Sequence, residues 1–176
     1  MTELQTANLK LRRCTPADRS DFIDLELDSE VMRFLNGGAV NHETTDPEQV
    51  TFLMPRGIEP DVWTARRMYN NVFVGWFCLS LESDEVAEIG FRLRRDAWGK
   101  GYASESALAL VNWGFETADV AKVIACTMAT NSGSRRVMEK IGMKYVRTIP
   151  FEAAHFPGTE QGEVWYELTR SEWVRT

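Results

Sequence analysis

Two glycines flank a lysine in Trp98-Gly99-Lys100-Gly101-Tyr102-Ala103-Ser104, and a helix-forming run follows directly. The first N–H groups of a helix lack intrahelical partners, and the helix dipole places partial positive charge there. Glycines in the preceding turn let an oxyanion reach bare backbone without meeting a Cβ. Lys100 and the nearby Arg92, Arg94 and Arg95 add positive charge in a chain whose net charge is -6. Together they describe a candidate anion site, of the kind that holds a pyrophosphate. The same residues also suit a tight strand-to-helix turn with solvated arginines, and their chemistry alone does not separate the two. They do not match a Walker loop, which ends a wider glycine spacing in Gly-Lys-Ser/Thr. Nor do they match a dinucleotide fingerprint, which sits in a parallel βαβ unit near the start of its fold.

The elements that must position this turn follow from periodicity. Leu9 and Leu11 alternate as in a strand, and Thr15 before Pro16 opens a helix, with Asp18 placed for a capping box. "SEVMRFLNGG" reads as a short helix stopped by Gly37 and Gly38, and "TTDPEQVTFLMPRG" as another, capped by Asp46 and ended by Pro55 and Gly57. "VWTARR", "NNVFVGWFCLSLES" and "EVAEIGFRLRR" are rich in β-branched and aromatic residues and are separated by turn signals, which predicts an antiparallel meander. Ala103, Ala107, Leu110, Val111, Gly114 and Phe115 recur at helical spacing over 102–118. "AKVIACTMAT" is a buried-strand run, "SGSRRVMEKIG" a helix closed by Gly142, and "MKYVRTIPF" and "EVWYELTR" two last strands. The pattern predicts one α+β domain over residues 1–176, with a strand–helix–strand unit at its centre.

Composition narrows the function classes. A chain of 176 residues with 44% hydrophobic and 26% charged residues can bury a sizeable core. Its acidity argues against a general nucleic-acid or anionic-membrane binder. The first twenty residues hold no apolar core of signal-peptide length, and no run suits a bilayer span. Cys14, Cys78 and Cys126 lie far apart with no CxxC, against a disulfide framework or a zinc knuckle. Cys78 and Cys126 read as small buried hydrophobes, and a cytoplasmic protein with reduced thiols and no metal is expected.

"WGKGYA" resembles motif A of the GNAT acetyltransferase superfamily, Gln/Arg-x-x-Gly-x-Gly/Ala, with Trp98, Gly101 and Ala103 at its first, fourth and sixth places. A Trp at the first place departs from the consensus and resembles the RimJ/RimL-type branch. "NSGSRRVMEKIGM" resembles that branch's Asn-x-x-Ser-x-Arg-Val-x-Glu-Lys-x-Gly-Phe. Asn131, Ser134, Arg136, Val137, Glu139, Lys140 and Gly142 coincide, and Met143 replaces the aromatic. "VWYELTRSEW" is similar to the branch's closing strand.

The resemblance implies a GNAT-like fold: a mixed, mostly antiparallel sheet with a central splayed parallel pair and flanking helices. It implies acetyl-CoA as cosubstrate, its pantetheine arm paired with backbone at Phe91 and Leu93. The pyrophosphate would lie on N–H groups from Gly99 through Ser104, with Trp98, Lys100, Tyr102 and Ala103 in the same cradle and Asn131 toward the cofactor. The implied reaction is direct attack of a primary amine, a protein N-terminus or a small-molecule amine, on the thioester. Ser134 matches the branch's serine near the thiol, though it also suits an ordinary first helical turn. The place where many GNAT enzymes carry a tyrosine acid is Met138. Glu88 is the candidate base, since a carboxylate beside an apolar tunnel has its pKa raised, although strand glutamates are mostly solvated. His155 is an outside candidate. Asp18, Asp21, Asp24, Glu152 and Glu160 are acids that would attract a cationic acceptor. A homodimer is compatible with such a domain, and so is a non-catalytic acyl-CoA-binding or regulatory module on the same scaffold.

Overall fold

The alternation at Leu9 and Leu11 becomes a strand because both side chains are fully buried while their neighbours face outward. The structure, a computed structural model, describes residues 3–152 and 156–173. Its strands are β1 (Glu3–Gln5), β2 (Leu9–Arg13), β3 (Val62–Arg67), β4 (Phe73–Leu81), β5 (Val86–Leu93), β6 (Lys122–Met128), β7 (Lys144–Ile149) and β8 (Glu163–Thr169). Its α-helices are α1 (Arg19–Glu26), α2 (Ser29–Met32), α3 (Tyr102–Thr117) and α4 (Ser132–Lys140). The strands form one eight-stranded sheet in the order β1-β2-β3-β4-β5-β6-β8-β7. Every neighbouring pair is antiparallel except β5 and β6, which are parallel and joined by the α3 crossover. This is the expected GNAT fold.

Two apolar layers cover the sheet. On one face α3 and α4 pack Leu110, Phe115 and Met138 against Trp63, Phe77, Ile89 and Tyr166. On the other, Phe22 and Leu25 of α1 and Met32 of α2 pack against Val62, Phe73, Trp76 and Cys78. The strand alternation of β3 and β4 explains the division, since Trp63 and Phe77 face one layer and Val62, Trp76 and Cys78 the other.

Two sequence expectations need correction. The segment after Asp46 forms only a 3₁₀ turn, Pro47–Gln49, rather than a helix. Val50, Phe52 and Met54 recur every second residue and all pack on the α1–α2 layer, a spacing that suits extended chain rather than a helical face. A short strand, β1, precedes the expected first strand and pairs with it. The Thr15–Asp18 capping pattern does form: the Asp18 carboxylate accepts the Thr15 N–H at 2.9 Å, ahead of α1. Among the described residues no helix is long and apolar enough to cross a membrane.

Candidate active site

The parallel pairing of β5 and β6 lasts only from Val86↔Lys122 to Glu88↔Ile124. Beyond it β5 stays on β4 as far as Leu93↔Gly75, and β6 stays on β8 as far as Met128↔Glu163. The two strands therefore part, and their facing edges are left unpaired with each other. The Arg94 N–H donates to the Val74 carbonyl at 2.9 Å, which fixes the phase of the β4–β5 ladder. Alternation then turns the backbone groups of Phe91 and Leu93 toward the open edge. One of them is already shared, because the Trp98 indole donates to the Leu93 carbonyl at 2.9 Å. A cleft of about 970 Å³ runs along this opening.

The glycine turn closes one end of the cleft. Gly99 and Gly101 have φ of +72° and +81°, and a Cβ built on either meets nothing within 4 Å. The glycines are thus required by backbone conformation, and the space in front of them is open. Among the described residues, the backbone N–H groups from Gly99 through Ser104 have no protein acceptor. They fit an anion, and Gly101 as the residue ahead of α3 adds the helix's positive end. Trp98, Gly99, Gly101, Tyr102, Ala103 and Ser104 all line the cleft, with Lys100 exposed beside them.

Of the arginines grouped with this turn, Arg92 does not belong to it. It is 6% exposed and donates to the Oε1 of buried Glu26 at 2.5 Å, on the opposite layer of the sheet. Arg94 pairs with Asp96 at 3.1 Å and Arg95 with Asp28 at 3.4 Å.

Across the opening, Asn131 caps α4. Its Oδ1 accepts the Ser134 N–H at 3.2 Å, and its Nδ2 donates to the Thr127 hydroxyl at 3.1 Å. The amide keeps one hydrogen for a ligand. Ser134 is half-buried on the cleft wall, and its hydroxyl has no partner among the described residues. Met138, at the expected tyrosine place, is buried in the layer beneath α4.

Glu88 stands at the last rung before the strands part. Its Oε1 accepts the Cys126 thiol at 3.3 Å. Burial raises the Glu88 pKa, the Cys126 hydrogen bond opposes the rise, and the charges of Glu82 and Glu163 add to it. Burial, with Glu88 and Glu163 nearby, pushes the Cys126 thiol upward too, so it stays protonated and donates. Cys78 is the buried small residue expected, but Cys126 is half-buried and holds a carboxylate.

The acids of the cleft are not those expected from the sequence. Asp18 is buried between Arg12 and Arg66, Asp21 pairs with Arg66, and Glu160 accepts the Gly158 N–H of its own loop. The cleft is lined instead by Glu30, Glu82, Glu88 and Glu163. Neither Glu163 nor Cys126 carries a local motif; only the sheet register brings them to the same opening. His155 lies outside the described residues, among which no group of three or more His, Cys, Asp or Glu could hold a metal ion.

A sheet parted beside a glycine-opened helix start, with a buried carboxylate at the fork, is an architecture for acyl transfer from a long phosphate-bearing carrier. Residues 8–144 match the Acetyltransferase (GNAT) domain family, and the chain belongs to it. It is 35% identical to the FsC-acetyl coenzyme A-N(2)-transacetylase of Aspergillus fumigatus, over 98% of this chain and 78% of that protein. Among solved structures, a GNAT-family acetyltransferase from Bacillus anthracis superposes with a TM-score of 0.82 at 25% identity, covering 97% of this chain and 100% of that one. The aminoglycoside acetyltransferase AAC(6')-Ib, solved with coenzyme A, shares the fold at a TM-score of 0.68 and 19% identity, over 93% of this chain and 96% of that one. The chain is an N-acetyltransferase, and its family uses acetyl-CoA.

Proposed function

We propose that this protein, as a single domain over residues 1–176, transfers an acetyl group from acetyl-CoA directly to a primary amine. The acceptor is a peptide N-terminus or a small-molecule amine, and the chain falls in the RimJ/RimL-type branch of the family. The observation that carries the reading is the fork itself. Strand edges at Phe91 and Leu93 left open by β6, unfilled N–H groups from Gly99 to Ser104, and a raised carboxylate at Glu88 line one cleft. The name of the Aspergillus relative, an acetyl coenzyme A-N(2)-transacetylase, supports an amine acceptor.

The cosubstrate supplies an activated acetyl thioester, and the chain's own groups do the rest. The backbone edges orient the pantetheine arm, while the glycine turn with Lys100 holds the phosphates. Glu88, kept partly protonatable by burial, removes the proton from the incoming ammonium or its bridging water. Ser134 donates toward the departing sulfur, and Asn131 fixes the first turn of α4 so that this hydroxyl faces the cleft. Proximity accounts for most of the acceleration, because a thiolate is a good leaving group.

Free-thiol release from acetyl-CoA, followed with a panel of peptides and small amines, tests the reading. Amine-dependent release with an acetylated product supports it. Thermal stabilisation by acetyl-CoA with no thiol release from any amine would make the protein a binding module instead.

A further inference from the structure

Behind the cleft lies an ion pair that the acetyl transfer described above does not use. Arg92 and Glu88 occupy the same face of β5, since Arg92 is opposite Trp76 and Glu88 opposite Ser80 on β4. Both line the cleft. The Arg92 guanidinium carbon lies 4.8 Å from the Trp76 ring centroid and 5.7 Å from that of Phe52, within cation–π range of both. Its Nη1 donates to Glu26, which is fully buried and also lies 3.1 Å from the His42 Nε2.

A guanidinium has five N–H donors and no acceptor. Among the described residues, Glu26 is the acceptor that Arg92 has. Leaving the remaining donors of a buried arginine unfilled is costly, and buried polar groups are nearly always paired. The residual 6% exposure of Arg92 opens onto the cleft it lines, so its spare donors are offered to whatever occupies that cleft.

The charge balance selects the chemistry of the occupant. Glu26 is paired with Arg92, and the same space is lined by Glu30, Glu82, Glu88 and Glu163 together with Arg33, Arg136 and Lys140, Glu30 being paired with Arg33. A carboxylate arriving at Arg92 meets a guanidinium already paired with the Glu26 carboxylate and is repelled by it, whereas a neutral carbonyl oxygen accepts the spare hydrogen bonds without that penalty. The strand spacing sets the length: residues four apart on a strand are about 13 Å apart. An acceptor reaching from Glu88 to Arg92 is therefore extended, with the length of a short peptide.

We propose that Arg92, backed by Glu26, forms an acceptor subsite for a neutral carbonyl oxygen, so that the preferred acceptor is an extended, amide-bearing amine. The proposal rests on the amine-acetylating reading of the cleft.

The test compares kcat/KM for alanyl-alanyl-alaninamide, the same tripeptide as a free acid, and spermidine, which has comparable length and no oxygen. The wild-type protein is expected to favour the amide at least tenfold over each of the others. The Arg92→Lys variant keeps the charge against Glu26 and loses the fork. The paired Glu26→Leu and Arg92→Leu change removes both charges together. In either, the ratio of amide to spermidine is expected to fall at least tenfold, with folding checked by acetyl-CoA affinity. Equal use of amide and spermidine by the wild type overturns the subsite, as does an unchanged ratio in a folded variant. If neither variant folds, the wild-type comparison decides alone. Absence of turnover with every amine overturns the underlying functional reading, while turnover without preference overturns only the subsite.

Discussion

The Cys126 thiol donates to the Glu88 carboxylate at 3.3 Å, just past the last rung that joins β5 to β6. The pair places a proton donor against the group proposed to accept a proton, so Cys126 sets how readily Glu88 ionises. A base acts when deprotonated, and burial has raised the Glu88 pKa, so kcat/KM falls on the acid side at a higher pH than an ordinary carboxylate would give. Cys126→Ala removes a hydrogen bond that favours the charged form and moves this acid limb to still higher pH. Cys126→Ser restores a donor and moves it back. A pH profile that is the same in all three proteins would show that Glu88 is not the titrating group.

Glu88→Gln keeps the shape and loses the base. Its kcat is expected to fall by roughly a hundredfold, the usual scale of general-base assistance, while acetyl-CoA affinity stays within a factor of about two. Steady-state kinetics and calorimetry together check this, and undiminished kcat would assign the proton to solvent.

Gly101→Val is expected to weaken CoA binding at least tenfold, roughly 1.4 kcal/mol. The added Cβ meets no protein atom, so the loss comes from two other sources: a φ of +81° that a branched residue resists, and a methyl-bearing carbon where the anion approaches. Calorimetric titration of CoA reads the effect. A folded variant with wild-type affinity would reduce the loop to a turn.

Ser134→Ala is expected to lower kcat by roughly one to two powers of ten with little change in acetyl-CoA affinity, because a bond to the leaving sulfur strengthens only as charge develops. Asn131→Ala behaves differently. It raises the apparent acetyl-CoA constant and also removes the cap of α4, costing about 1 kcal/mol of stability. Asn131→Asp keeps the capping oxygen and recovers the stability. Parallel melting curves and kinetics separate the two residues.

Asp18 contributes to acid stability. Burial alone would raise its carboxyl, but Arg12, the Thr15 N–H and Arg66 outweigh that and hold its pKa down at about 2, against 3.8 ordinarily. A depressed folded pKa gives stability that is present above the unfolded value and lost as pH falls through the folded one, here from about 4 to about 2. The contribution at neutral pH is on the order of 2 kcal/mol. Asp18→Asn is expected to lose about that much in urea unfolding at pH 7 and to flatten the acid dependence between about pH 5 and 2.

The elements were legible where side-chain period and punctuation agree. Helical spacing from Ala103 to Phe115 and the β-branched meander reappear as α3 and β3–β5, and Gly142 follows the end of α4, but α2 ends at Met32, short of the expected stop at Gly37 and Gly38. The failure after Asp46 has the same logic, since a Pro start signal was followed by a period of two rather than 3.6. The turn ahead of α3 was legible because the spacing of Gly99 and Gly101 reports backbone geometry directly. Partnership was not. Nothing near Arg92 indicates that it turns from the phosphate turn to meet Glu26, 66 residues earlier. In the sequence Cys126 looks like filler, because its role depends on the β5–β6 register, which no local window contains.

The short parallel pairing also has a mechanical meaning. Three rungs of backbone contact join the block β1–β5 to the block β6, β8 and β7, with α3 and α4 bracing them from one side. A molecule bonded to both free edges acts as an added strand and stiffens the seam between the blocks. The shortest pairing between interior strands of the sheet therefore lies beside Glu88 and Cys126. Occupancy of the seam is expected to tie the two blocks together more firmly, which slower amide exchange along both edges would record.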